Sequence, residues 1–194
     1  MRRSKSQSVD PFEALHEATR QHRARHECGA YTYDDGSLPG VLAAAVAAKR
    51  IVEVGTALGY TACWLASASE TTVVDTIEND AEHVELARAE IARYGLGSRV
   101  SVHHGDAEHV LPSLDDSAYD VAFFDGFAPT VAVLRLLRSR LREGGLLIAA
   151  NLTLSGADAV RTELADASLW RTHSFGETAF SVKTTGPALP LKRF

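Results

Sequence analysis

From Arg50 onward, short apolar runs rich in β-branched residues alternate with stretches of helical period, and this alternation restricts the fold more than any other feature of the chain. The runs are "RIVEV" (50–54), "TVVDTI" (72–77), "RVSVH" (99–103), "DVAFFD" (120–125) and "LLIAA" (146–150). Between the second and third, Ala81, Val84, Ala87, Ile91 and Tyr94 fall at helical spacing and Gly95 supplies a stop. Between the fourth and fifth, Val131, Leu134, Leu137 and Leu141 do the same, closed by Gly144 and Gly145. Such alternation implies right-handed crossovers and a parallel sheet with helices on both faces. The end of the chain breaks the rhythm. "LWRTHSF" (169–175) and "AFSVKT" (179–184) are separated only by "GET", too short for a crossover, so they form an antiparallel hairpin. The expected fold is α/β, a doubly wound, mostly parallel seven-stranded sheet with a C-terminal antiparallel strand.

Before the rhythm begins, Asp10, Pro11 and Glu13 signpost a first helix running to about Glu27. "GAYTYDDGSLPG" (29–40) reads as a loop, and residues 41–48 as a short helix; a further helix, capped by Ser155, precedes the hairpin. At 194 residues the chain suits one domain. A net charge of -5 offers no global field for nucleic acid or an anionic membrane. Residues 1–9 carry the one basic cluster, "MRRSKSQS", read as a disordered start or an expression remnant. The apolar run "VLAAAVAA" (41–48) is far short of the roughly 20 residues a membrane span needs. Two cysteines, Cys28 and Cys63, cannot make a disulfide framework and suit a reducing cytoplasm.

In a doubly wound sheet, ligands bind beyond the carboxyl ends of the strands. The first run ends in "EVGTALGYTA" (53–62), where Gly55 and Gly59 flank a turn into a helix beginning near Thr61. Such a turn serves either a ligand or close packing. Ala57 occupies the place of the second glycine of a dinucleotide fingerprint, which speaks against a pyrophosphate, and Glu53 beside the turn repels phosphate and welcomes a cation. Glu78 stands 23 residues after Gly55, placed to accept hydrogen bonds from ribose hydroxyls. Its bland alternative is to cap the next helix, a task Asn79 or Asp80 also fits. Asp106 lies by an adenine amino group or caps a short helix. Asp125, after four apolar residues, meets a ligand or a cation. A nucleoside with a positive charge and no phosphate is S-adenosylmethionine.

On "VEVGTALGYTA", "TIEND", "GDAEHVLPSL", "YDVAFFD" and "REGGLLIAAN", in this order over roughly residues 37 to 184, the chain resembles the class I methyltransferases. Within them it resembles the small cation-dependent O-methyltransferases that act on catechols and caffeoyl-type phenols. The resemblance implies a Rossmann-like domain over 10–194, with 10–49 as helices and an acceptor-side loop and 50–184 as the cofactor-binding core. It implies that Glu53, Gly55, Thr56, Ala57, Tyr60 and Thr61 surround the methionine part of S-adenosylmethionine. Glu78 and Asn79 then hold the ribose, and Asp106 and Ala107 lie by the adenine. Asp125 lies near the methionine end and takes the place of the family's first metal ligand. The product would be S-adenosylhomocysteine, the acceptor a small hydroxylated aromatic, and the family state a homodimer.

Two departures matter. The family's metal is held by an Asp after the fourth strand and an Asp-Asn pair after the fifth; here Asn151 is present but Ala150 replaces the Asp, so weak metal binding or none is expected. The family's Lys three residues after the first Asp is Ala128. A base must then come from elsewhere. Asp125 and His104 are the catalytic candidates, with His103 as an ordinary histidine and Tyr31 and Tyr33 as either pocket covers or surface aromatics. His22, His26 and Cys28 mimic a metal spacing but read as a solvated helix face. The alternative to catalysis is a protein of the same fold that binds the cofactor and regulates. An NAD-dependent oxidoreductase is disfavoured by the glycine spacing, and RNA methylation by the acidic balance.

Overall fold

The protein is described here by a computed structural model covering residues 10–184. Seven strands form one sheet in the order β3-β2-β1-β4-β5-β7-β6. Their ranges are β1 Arg50–Val54, β2 Val73–Glu78, β3 Val100–His104, β4 Tyr119–Phe124, β5 Leu141–Ala149, β6 Trp170–Phe175 and β7 Thr178–Lys183. The pairings β1–β2, β2–β3, β1–β4 and β4–β5 are parallel, while β7 runs antiparallel to β5 and to β6. This is the seven-stranded class expected from the alternation and the "GET" turn.

Helices α1 Glu13–His26, α2 Ser37–Ala45, α3 Tyr60–Ala66, α4 Ala81–Arg93, α5 Ala107–Val110, α6 Val131–Arg140 and α7 Asp158–Leu164 cover the sheet. Alternate strand residues feed two cores, as a two-faced sheet requires. Ile51, Phe123 and Ile148 join Leu65 and Ile91 on one face, and Val52, Tyr119 and Leu147 join Leu111, Leu137 and Trp170 on the other. Each such side chain, wholly removed from water, stabilises the fold by about 1.5–3 kcal/mol.

Local details depart from the sequence reading at the element ends. α2 begins at Ser37, so the loop is shorter than 29–40. The expected cap Ser155 is not one: α7 starts three residues later, behind Ala157, with no side-chain cap. β5 begins directly after α6, at Leu141, and the glycines of "EGG" fall within it beside a register irregularity against β4. Asp10 and Pro11 stand outside α1, whose N-cap is Phe12 with no side-chain cap; Asp10 instead ties the preceding turn, accepting hydrogen bonds from the Phe12 amide at 2.8 Å and the Tyr60 hydroxyl at 2.6 Å. α1 buries Leu15, Thr19 and His22 as a narrow stripe, so the helix face carrying His22 is not solvated throughout. Among the described residues no helix is long and apolar enough to cross a membrane. The basic tail 1–9 lies outside the described residues.

Candidate active site

Successive strands are added toward one edge of the sheet from β1 to β3 and toward the other from β4 onward, so the loops after the parallel neighbours β1 and β4 diverge and leave a crevice. The loop after β1 is built for close contact. Gly55 has φ +96°, and a Cβ there would stand 2.8 Å from the Asp125 carbonyl oxygen; at Gly59, also φ +96°, it would stand 2.9 Å from the Ile91 side chain. Both glycines are thus required by packing of protein on protein. Between them Ala57 adopts φ 47°, unusual for a residue with a Cβ, and its amide donates to Glu78 Oε2 at 2.8 Å.

Two glutamates underlie this loop. Glu53 is wholly buried and accepts hydrogen bonds from the Thr61 hydroxyl and, at 2.6 Å, from Thr76. Thr56 joins the group through a 2.5 Å contact with Thr76. Burial pushes the Glu53 carboxyl up to about 8 despite the threonine hydroxyls, and the charges of Asp125 and Glu78 add to the rise. Glu78, 8% exposed, is not the cap of α4: Asp80 caps it through the Glu82 and His83 amides. Glu78 instead accepts from the Ala57 and Asp80 amides, tying the ends of β1 and β2 together. Asn79 beside it is exposed.

The end of β3 lies against the same edge, the Gly105 amide donating to the Glu78 carbonyl at 2.8 Å. Asp106 is exposed and makes no side-chain cap to α5, its carboxylate lying 3.8 Å from His109 Nδ1, and Ala107 is half-buried. Tyr60 turns away: its ring stacks on His16 at 4.3 Å and its hydroxyl binds Asp10. His103 bonds Asp75 at 2.8 Å. His104 is exposed, with Nε2 3.2 Å from the Asn79 carbonyl oxygen. Three strand spacings of about 4.8 Å separate its strand from β4, so the two catalytic candidates, His104 and Asp125, are not brought together.

At the ends of β4 and β5 the surroundings differ. Asp125 accepts from Asn151 Nδ2 at 3.2 Å, and the same amide donates to the Gly126 carbonyl at 2.8 Å. Asn151 itself sits in the left-handed region at φ 63°. Burial pushes Asp125 up to about 7, and Glu177 and Asp34 raise it further. Those two carboxylates, from the β6–β7 turn and from the segment between α1 and α2, are site residues that the sequence reading missed; nothing local in the sequence joins them to Asp125. Phe127, two residues after Asp125, is 84% exposed. Tyr33 lies over the same end of the sheet, its hydroxyl 3.0 Å from Thr178 and its ring edge-on to Phe123, whereas Tyr31 is a surface aromatic beneath the Arg23 guanidinium.

The donors at Asp125 do not fit a hard divalent ion. At the ends of β4 and β5 themselves only the Asp125 carboxylate remains, Asn151 turns an amide N–H toward it, and Ala150 fills the third position with a buried methyl group, while Asp34 and Glu177 act on Asp125 from other loops. The strand ends suit a cationic nucleoside: Glu78 and Asp125 lie there with Glu53 buried beneath them, and beyond the effect of burial other carboxylates raise Glu53 and Asp125, a mutual repulsion that a cation relieves.

Fold and site together define a Rossmann-like protein that takes a positively charged nucleoside. A sequence model of a methyltransferase domain matches residues 52–151. A relative from Mycobacterium sp. (strain JLS) with a provisional O-methyltransferase name is 35% identical over 151 residues, covering 74% of this chain and 67% of its own. The catechol O-methyltransferase of Mycobacterium tuberculosis is 31% identical over 140 residues, covering 71% of this chain and 64% of its own. An O-methyltransferase from Bacillus cereus, solved in complex with SAH, superimposes with a TM-score of 0.79 at 22% identity, over 91% of this chain and 94% of that one. TomG from Streptomyces achromogenes, solved with SAM, does so at 0.77 and 24%, over 87% and 89%. The chain belongs to the S-adenosylmethionine-dependent O-methyltransferase family. It spans about two thirds of the length of these curated relatives, and their names do not favour the binding-only alternative.

Proposed function

We propose that the chain methylates a hydroxyl of a small aromatic acceptor with little or no dependence on a divalent metal, and that Asp125 is the base. The supporting observation is the carboxyl of Asp125 itself, largely buried at the switch point, pushed up to about 7 and fixed by Asn151. A general base works best when it titrates near the operating pH. Bound S-adenosylmethionine supplies an electrophilic methyl group on a sulfonium.

Glu78, fixed by two amides, accepts the ribose hydroxyls; Asn79 stands beside it, and Asp106 and Ala107 flank the adenine. The backbone of Gly55, Thr56 and Ala57 borders the methionine part. Glu53 lies below this backbone and, through its hydrogen bond with Thr61, fixes the start of α3 beneath it. Tyr60 serves by anchoring α1 rather than by touching the cofactor. His104 is too far along the sheet to assist Asp125. In the transfer, the acceptor oxygen attacks the methyl carbon as the carbon–sulfur bond breaks, and the acceptor proton passes to Asp125.

Residues 10–49 form the acceptor side of this arrangement and 50–184 the cofactor side. Asp34 and Tyr33 at the end of the sheet support that division. We also place the protein in the cytoplasm as a homodimer, the state expected of the family, which sedimentation velocity tests. Turnover of a panel of catechols and simpler phenols, with magnesium and with a chelator, tests the reaction. Activity is expected to persist in chelator; loss in chelator with recovery in magnesium overturns the metal-independent reading.

A further inference from the structure

A second group of metal-ligating side chains lies outside the crevice, where α1 meets α4. His22, expected on a solvated face, is 7% exposed, and His83 on the inward side of α4 is 4% exposed. The rings meet edge to face with centroids 5.4 Å apart. α1 ends at Glu27 in the left-handed region, φ 51°, and the chain turns back so that half-exposed Cys28 joins them. One ring nitrogen of each histidine and the Cys28 Sγ all lie within 4.8 Å of one another, and among the described residues this is the one such group of His, Cys, Asp or Glu.

The geometry points to a binding site for a borderline-soft divalent ion, zinc in kind, held by the Cys28 thiolate and the imidazoles of His22 and His83. Zinc lies about 2.0–2.1 Å from imidazole nitrogen and about 2.3 Å from sulfur. A tetrahedral site with those bonds has ligand atoms roughly 3.5 Å apart, so each atom need move only a fraction of the present separation. A thiolate with two imidazoles selects zinc over magnesium or calcium. The burial of the two rings provides a dry wall, and the half-exposed Cys28 provides access from solvent.

Two further features suit an ion. His83 Nδ1 stands 3.9 Å from Glu78 Oε1, beyond hydrogen-bond reach but near enough for the carboxylate to favour an imidazole that binds a cation through Nε2. His26, stacked on His22 at 4.4 Å, or a water completes the shell. The other end of α1 is anchored by Phe12, edge-on to Trp64 and Tyr94, and by the Asp10–Tyr60 hydrogen bond. An ion at His22, Cys28 and His83 clamps the carboxyl end, joining the acceptor-side segment to the helix that begins just after Glu78.

The test uses the untagged full chain, reduced and stripped of metal, titrated with zinc against a chromophoric chelator and separately with cobalt(II). One equivalent per chain, a cobalt–thiolate charge-transfer band and a raised unfolding temperature are expected. Cys28→Ser should weaken zinc binding by more than about tenfold and remove the thiolate band while leaving the far-ultraviolet circular dichroism unchanged. His83→Ala should weaken binding comparably, and Cys28→Ser decides alone if that variant does not fold. Absence of stoichiometric zinc binding, or binding and a cobalt band unaltered by Cys28→Ser, overturns the site.

Discussion

The carboxyl ends of β1 and β2 and those of β4 and β5 lie side by side on one sheet, yet their carboxylates are held differently. At the first pair, Glu53 receives two threonine hydroxyls and Glu78 two backbone amides, all from the loop and strands that immediately surround them. At the second, Asp125 receives one amide N–H, from Asn151, and faces Asp34 and Glu177 from distant parts of the chain. The first region holds the position of its acids firmly and hides them. Burial raises an acid in each region, but the second leaves Asp125 with one donor, beside other carboxylates and near 7, which suits proton transfer better than ion binding.

The largest expected effect separates the two regions directly. Asp125→Asn should lower kcat by about 10²- to 10⁴-fold, the usual worth of a positioned base, with little change in affinity for S-adenosylmethionine. Because a base acts deprotonated, the wild-type rate should rise roughly tenfold per pH unit up to about 7 and then level, and the variant should lose that rising limb. A rate that falls less than threefold would remove Asp125 as the base and leave both regions as cofactor contacts.

Glu53 offers the next contrast, through stability. Its folded-state value of about 8 stands above the ordinary 4.5, so the folded protein retains a proton that the unfolded chain has lost. The stabilisation is complete below about 4.5 and is lost as pH rises toward 8, by up to about 1.4 kcal/mol per pH unit. Asp125 contributes with the same sign over a narrower window, from 3.8 to about 7. Unfolding temperatures recorded from pH 5 to 9 should therefore decline, and Glu53→Gln should flatten the decline more than Asp125→Asn. Equal slopes in wild type and Glu53→Gln would show that Glu53 is ionised in the folded state.

Glu78→Ala should weaken S-adenosylmethionine binding by about 1.5–3 kcal/mol, the cost of hydrogen bonds to a charged acceptor. Glu78→Gln, keeping one acceptor oxygen, should lose less. Calorimetry reads both, and unchanged affinity in Glu78→Ala would take the ribose role away from the first region.

The same contrast governs what was legible in the sequence. β1 to β5 and the closing hairpin were readable because side-chain period and the length of "GET" are local properties. Gly55, Glu78 and Asp125 were readable because strand ends fix their place on the sheet. The cap at Ser155 was misread because a turn of three residues intervenes before α7, and the sequence signal for a cap is blind to it. The side-chain direction of Tyr60 and the burial of His22 depend on how α1 docks, a tertiary matter. Asp34 and Glu177 meet Asp125 only through the fold, from opposite ends of the chain.

Ala150→Asp carries the smallest expected effect and tests the contrast most directly. Ala150 is buried, its amide donating to the Phe124 carbonyl at 2.9 Å, so its backbone is fixed and only the side chain need change. A carboxylate there stands next to Asn151 and near Asp125, and without an ion the two acids repel. In chelator the variant should therefore unfold at a lower temperature than wild type. Magnesium should reverse this, stabilising the variant by about 1.4 kcal/mol at ten times its Kd, and should leave wild type unmoved. Equal stabilisation of both proteins would mean that Asp125 and Asn151 already hold the ion with help from Asp34 or Glu177. The second region would then be a rebuilt metal site rather than one given over to proton transfer.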